Sequence, residues 1–516
     1  MVDERSVSRW QGWGLAAASL IVVVTAVWLS WQPSRLDLLP DPDGPEYMAG
    51  AVSLAGGEGY TIHVAGKTFP PRYPFGYSLT MVPLLWLGVE PAMAPLIISF
   101  VSALVLLCLV WAGARASGGR TAAGLAVLLL VTTPLFVLLA RTPMADLSST
   151  CMVVASVLAL ARFHRTERVG WGLVGALILG VSACFRLGNI LFLPLLALSW
   201  WVTRKRLDKP VRVGAWMTLV LILGMSPLLL YQWKVFGQPL SNGYAFWLPH
   251  LAGFSDTFEI GNLPGNLRYL LRDALQLEWK RTVATYYGDG SYFGPAHVLL
   301  LAVCWFQTKK TAAFKWLAVG LGAYVLVMLF YFFPDARFHA PVVILMPIFV
   351  GPALVEILRN SKRGWRLVAL ALFCMCVVGF PGTRSVFATP HLVFDSRRAP
   401  AERFDLVDRL RSEPPGLVLS TFSEPYVRGL LGRDWVVSPA LPEHGYGSRP
   451  DLFVYGESQR RRQLEEFIAL GKPVYVLADQ NLHKVLDSLV LAEGQSWTIL
   501  ASQHAQGGLA SLVHRD

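Results

Sequence analysis

The sequence predicts a mainly α-helical, polytopic membrane protein of about eleven transmembrane helices, followed by a small extracytoplasmic α/β domain. Three observations lead there. Of the 516 residues, 54% are hydrophobic and only 15% are charged. Apolar runs recur along the first 380 residues, at lengths suited to the roughly 20 residues that a bilayer core requires. From about residue 385 the composition changes to that of a soluble domain, with short apolar strands and amphipathic helices in alternation.

The spans are expected near 13–31, 92–114, 121–140, 147–161, 171–185, 188–202, 213–231, 292–308, 316–333, 339–358 and 365–381. The first follows Arg5 and Arg9 as a signal sequence would, but lacks a small-x-small cleavage site, so it reads as a retained helix. Alternate loops carry "RASGGR", "RFHRTERVG", "TRKRLDKPVR", "QTKKTAAFK" and "RNSKRGWR". All are basic, which places them and the N-terminus in the cytoplasm and the C-terminal segment outside. The run "WGLVGALILGVSACFRLGNILFLPLLALSWWV" has basic flanks on both sides and so needs an even number of crossings. A tight hairpin near "FRLGN", with Arg186 at the outer turn, satisfies that.

The expected division is residues 1–384 as the membrane domain, with long outer loops at about 32–91 and 232–291, and 385–516 as the soluble domain. "YPFGYSLTMVPLLWLGV" closes the first loop as an amphipathic interfacial helix. In the tail, "GLVLS", "DWVVSP", "PVYVLAD" and "WTILASQ" read as strands, and "AERFDLVDRLRSE", "SQRRRQLEEFIALG" and "NLHKVLDSLV" as helices. The basic run Arg460–Arg462 reads as a solvated face or as a contact for anionic lipid or glycan.

The excess of 45 Lys and Arg over 34 Asp and Glu does not indicate nucleic acid, because the basic residues cluster in short loops as topology signals do. The six cysteines all sit in apolar segments, without metal-type spacing. The histidines are scattered without paired spacing, and only His250, in the long outer loop at about 232–291, and His339, near Arg337, stand out.

The chemistry-bearing stretch is "DLLPDPDGPEYMAGAVSLAGGEGY", which places Asp41, Asp43 and Glu46 together after an apolar run. From Asp43 the pattern is helical: Tyr47, Ala51, Leu54 and Ala55 share a face, and Gly56-Gly57 stops it. Asp43 at N-cap and Glu46 at N3 would form a capping box, worth about 1 kcal/mol. Capping and chemistry are both open to Asp43, and either Asp41 or Asp43 could carry the chemistry.

This stretch, with "PPRYPFGYSLTMVPLLWL" after it, resembles the first outer loop of the GT-C superfamily, the polyprenyl-phosphate-sugar-dependent membrane glycosyltransferases that include protein O-mannosyltransferase and aminoarabinose-transferase relatives. Asp43 and Tyr47 match the family's Asp-x-x-x-Tyr, and Tyr73-Pro74-Phe75-Gly76-Tyr77 its later turn. "RTPMADLSST" resembles the second acidic position at Asp146, a lone Asp where the family often has a pair. "FPDARFHAPVVILMP" resembles the late outer loop, at Asp335, Arg337 and Pro341.

The resemblance implies sugar transfer from a polyprenyl phosphate to an unknown lipid, glycan or protein acceptor, with Asp43 as general base and Asp146 as an assisting or metal-assisting acid. Glu46, Tyr47, Arg72, Tyr73, Arg141, Arg186 and Arg337 are then the candidate substrate contacts, the arginines for donor phosphate or membrane lipid headgroups. Cofactor need is open, a divalent metal being the one candidate. An O-antigen ligase or polymerase would lack the acidic helix opening the first loop. A transporter would favour inverted repeats and midplane polar residues.

Overall fold

The computed structural model describes residues 43–140, 142–249, 253–275, 295–307, 312–333, 335–378, 402–422, 424–440, 457–478, 485–486, 489, 496–505 and 508–515. The span expected at 13–31, together with Asp41, Arg141 and His250, lies outside these residues. Among the described residues, 98–231 and 253–378 belong to one compact unit, and 43–97, 232–249 and 402–515 to a second.

The first unit is helical. Helices at Met93–Val131, Asp146–Thr166, Leu187–Arg206, Pro210–Phe236 and Arg337–Asn360 are long and apolar enough to cross a membrane, and shorter apolar helices lie at Val169–Ser182, Ala296–Gln307 and Ala318–Met328. As one straight rod the 39 residues of Met93–Val131 would run about 58 Å, twice a bilayer core. Gly119 breaks the rod with φ 81° inside the basic "RASGGR" stretch, so the run divides into two helices.

The second of these was expected to continue to residue 140 but stops at Val131 and restarts at Pro134. The reason is local: Thr132 and Thr133 turn their hydroxyls back onto the carbonyls of Leu128 and Leu129, and Pro134 has no N–H to continue the ladder. The hairpin read at "FRLGN" is present, with Val169–Ser182 and Leu193–Thr203 joined through a 3-10 turn at Leu187–Phe192. Leu106, Val110, Leu130, Phe136, Val154, Phe163 and Ile344 are fully buried in the core of this unit.

The second unit holds the helix Asp43–Ala55, a hairpin of β1 (Ile62–Val64) and β2 (Lys67–Phe69), the helix Gly76–Trp86, and a five-stranded sheet. Its strands are β3 (Leu417–Ser420), β4 (Val436–Pro439), β5 (Val474–Ala478), β6 (Trp497–Ala505) and β7 (Gly508–Arg515), in the order β4-β3-β5-β7-β6. β3 is parallel to β4 and β5, while β7 is antiparallel to β5 and β6.

Both faces of this sheet are covered, which explains the unbroken apolar runs of β3 and β5. Val418, Val437, Tyr475 and Leu477 pack on one face with Leu406, Val427 and Met48. Leu417, Leu419, Val474 and Val476 pack on the other with Leu464 and Val485. Met48 therefore ties the Asp43 helix to the sheet. The helix Gly76–Trp86 ends on exposed apolar groups, Trp86 at 71% and Leu87 at 80%.

Two elements were not foreseen. The β1–β2 turn uses Ala65 and Gly66, both at positive φ, a two-residue hairpin turn that an alanine rarely makes. β7 has too weak an alternation to be read alone and is defined by pairing on both edges. The basic run is also divided in its roles. Arg460 is 1% exposed and donates to the Ala440 carbonyl, while Arg461 and Arg462 pair with Glu465 and Glu466 along the helix.

Candidate active site

In the second unit, five of the candidate residues come together. Asp43 begins its helix at 6% exposure, and Glu46, one turn on, is fully buried. The Tyr73 hydroxyl donates to Oδ1 of Asp43. Burial foremost, and then the Asp43 charge, hold the Tyr73 phenol well above its ordinary pKa, so Tyr73 stays a donor. Glu46 Oε2 accepts the Arg72 backbone N–H at 2.8 Å, and Oε1 faces Arg72 Nε at 2.7 Å. That second contact is a charge pairing without hydrogen-bond alignment.

Around these pairs lies an aromatic wall. The Tyr47 ring stands 5.0 Å from Tyr73 and 5.1 Å from Tyr77, and Tyr244 meets Tyr73 edge-on at 5.5 Å. Trp247 lies 5.9 Å from the Arg72 guanidinium and donates to the Pro70 carbonyl. Tyr244 and Trp247 come from "SNGYAFWLP" in the long loop at about 232–291, in which no candidate site residue was expected. The missed signal is Asn242-Gly243: Asn242 caps the short helix by accepting from Ala245, and a Cβ on Gly243 would stand 2.2 Å from the Pro71 carbonyl oxygen. Only glycine lets this segment approach Arg72 so closely.

Tyr73→Phe keeps the ring contacts and removes the donor to Asp43. Turnover is expected to fall about tenfold, the worth of one charge-assisted hydrogen bond, with donor affinity unchanged in calorimetry.

In the first unit, three separate stretches converge. Asp146, 2% exposed, opens the helix Asp146–Thr166 and is paired with Arg186 from the hairpin turn. Asp335 caps the turn Ala336–His339, its Oδ1 accepting the Arg337 N–H at 2.9 Å while Oδ2 faces Arg337 Nε at 3.2 Å. The two guanidiniums share one ring, with Arg186 4.8 Å and Arg337 5.1 Å from the Phe338 centroid. Sequence reasoning quoted Phe338 within "DARFHAP" but gave it no part.

Burial pushes the Asp335 carboxyl up to about 6 despite the opposing Arg337 charge. The neutral acid is thus favoured in the folded state, so this contribution to stability is complete below an ordinary pKa near 3.8 and is lost as pH rises through about 6. Unfolding midpoints in detergent are expected to fall across that window by the equivalent of up to about 3 kcal/mol. In Asp335→Asn the slope disappears.

Of the candidates, Asp43, Glu46, Tyr47, Arg72 and Tyr73 form the first cluster, and Asp146, Arg186 and Arg337 the second. Arg141 falls outside the described residues. His339 is buried at the start of the helix Ala340–Asn360. Among the described residues, no group of three His, Cys, Asp or Glu side chains is placed to hold a metal ion. Asp146 instead faces an arginine, and one carboxylate so neutralised does not fit a divalent cation, which needs several oxygen donors.

A family model described as dolichyl-phosphate-mannose-protein mannosyltransferase matches residues 77–231. Among solved structures, ArnT from Cupriavidus metallidurans bound to undecaprenyl phosphate superposes with a TM-score of 0.63 at 14% identity, over 97% of this chain and 98% of that one. The chain carries a GT-C fold. The Archaeoglobus fulgidus oligosaccharyltransferase, in a complex with Zn and sulfate, matches with a TM-score of 0.52 at 11% identity, over 92% of this chain and 70% of that one. The mycobacterial arabinofuranosyltransferase AftD gives 0.55 at 14%, over 98% of this chain and 40% of its own. No match was found among curated protein sequences. The chain thus resembles the GT-C glycosyltransferases in sequence over part of its length and in fold over nearly all of it.

Proposed function

We propose that the protein is an inverting glycosyltransferase that moves a sugar from a polyprenyl-phosphate-linked donor to an acceptor at the outer membrane face. The observation that carries this reading is the buried Asp43, held by Tyr73 beside the Glu46–Arg72 pair, in a chain with a GT-C fold. The acceptor hydroxyl gives its proton to Asp43 as its oxygen attacks the anomeric carbon. The bond from that carbon to the phosphate oxygen breaks, and polyprenyl phosphate leaves with the electron pair. Attack opposite the leaving group inverts the anomeric centre.

Two charges develop, and the chain has residues for each. Asp43 takes the proton, with Tyr73 fixing its orientation. Arg186 and Arg337 are assigned to the departing phosphate, since arginine remains charged near lipid and presents a fork to phosphate oxygens. Asp146 and Asp335 hold those two guanidiniums in place. Tyr47 and Arg72 are assigned to sugar and phosphate contacts. By the basic loops, the chain crosses the inner or plasma membrane eleven times, with its N-terminus cytoplasmic and the region after residue 385 outside.

The test uses purified protein with a panel of polyprenyl-phosphate sugars, with the matching nucleotide sugars as controls. Transfer or slow hydrolysis of a lipid-linked sugar is expected, and none from a nucleotide sugar. Turnover of nucleotide sugars alone would refute the donor assignment.

A further inference from the structure

A cavity of about 400 Å³ lies within the second unit, at the end of the Asp43 helix opposite to Asp43. Its apolar floor includes Ala49, and its polar lining is Ser53, Glu58, His63, Arg428 and Arg433. The volume lies within the range of small-molecule sites. Four observations together identify what it takes.

Arg428, from the helix Glu424–Leu431, is only 9% exposed. Its Nη2 donates to the Arg433 carbonyl at 2.7 Å, and among the described residues no carboxylate stands within ion-pair distance of it. A partly buried guanidinium that faces a cavity and has no ion-pair partner among the described residues is placed to receive an anion. Burial lowers its pKa, with Glu58 the first charge opposing that shift.

Glu58 is already engaged, its Oε2 2.8 Å from His63 Nε2. The lining itself sets one carboxylate, Glu58, against the guanidiniums of Arg428 and Arg433, while Asp434, the next carboxylate acting on Arg428, stands outside it. The helix end adds little negative potential, because the N–H groups of Gly56, Gly57 and Glu58 return to the carbonyls of Val52, Leu54 and Ser53. The remaining lining alternates donors and acceptors (Ser53, His63, Glu58) over a small-residue floor, the mixture that hydroxyls and a ring face require.

We propose that this cavity binds a sugar bearing one acidic group, such as a uronate or a sugar phosphate, at the terminus of the acceptor glycan. This rests on the glycosyltransferase reading only for the word acceptor. Binding itself is measured without any transfer.

The experiment is calorimetric titration of the full-length protein in detergent with glucuronate, glucose 1-phosphate, glucose and inorganic phosphate. Glucuronate and glucose 1-phosphate are expected to bind, with glucose and phosphate at least tenfold weaker. Arg433→Gln, on the exposed rim, should weaken the acidic sugars about fivefold, as the loss of one partly screened charge contact does. Glu58→Gln should tighten them by a similar factor. Arg428→Gln should abolish binding, and if that variant does not fold, the rim pair decides.

Three results would overturn the proposal: no binding of acidic sugars, affinities unchanged in both rim variants, or inorganic phosphate binding as well as glucose 1-phosphate. Failure of lipid-linked donors to react, with acidic sugars still bound, would instead remove the transfer reading and leave the site.

Discussion

Replacing Arg186 by Ala is expected to cost about 3–5 kcal/mol of stability, because it strands the Asp146 carboxylate. Asp146 is 2% exposed and paired with that guanidinium, so water cannot take over the solvation. The contact with the Phe338 ring at 4.8 Å is lost as well. Donor binding should fall below detection, since Arg186 is assigned to the leaving phosphate.

The two effects can be separated. In the double variant Asp146→Leu with Arg186→Leu no charge is left stranded, and most of the stability should return. Donor affinity should not. Thermal unfolding in detergent and calorimetry with a polyprenyl phosphate read the two quantities. A double variant that regained donor affinity would reduce Arg186 to a structural partner.

Glu46→Ala should have an effect of similar size in the second unit. Glu46 is fully buried and uses both oxygens on Arg72, one on the backbone N–H at 2.8 Å and one on Nε at 2.7 Å. Truncation leaves a largely buried guanidinium and an amide to find other partners, at about 3–5 kcal/mol. Because Tyr73 follows Arg72 directly, turnover should fall with stability. Glu46→Gln keeps an acceptor for the Arg72 N–H, so it should lose only about 1–2 kcal/mol. Equal losses in the two variants, read from unfolding midpoints, would show that the charge and not the hydrogen bond holds this loop.

The sequence was legible where the physics is local. Apolar run length and basic loops marked most helices, and the even-crossing requirement located the turn at Arg186. Candidate residues stood out because acids and arginines at the ends of apolar runs are costly without a task. Convergence was not legible. Asp146, Arg186 and Arg337 lie far apart in the chain, and no periodicity says that Phe338 will receive both guanidiniums.

Glu46 shows how a local reading falls short. The local pattern suggested a capping box, whereas both Glu46 oxygens meet Arg72, a long-range contact that depends on the fold of the loop. Trp247 was overlooked for a related reason. Aromatic composition suits a membrane interface, but close approach at Gly243 turns this segment inward against Pro71 and Arg72.

The most direct test of the account compares wild type with Asp43→Asn, following both donor binding and glycosyl transfer. Asparagine starts a helix as well as aspartate does and can still accept from the Tyr73 hydroxyl, so the fold should persist. Without a base, turnover should drop by a factor of about 10² to 10⁴ while donor affinity stays within a fewfold of wild type. Turnover equal to wild type in a folded Asp43→Asn protein would contradict the account, and would leave Asp43 as a helix cap.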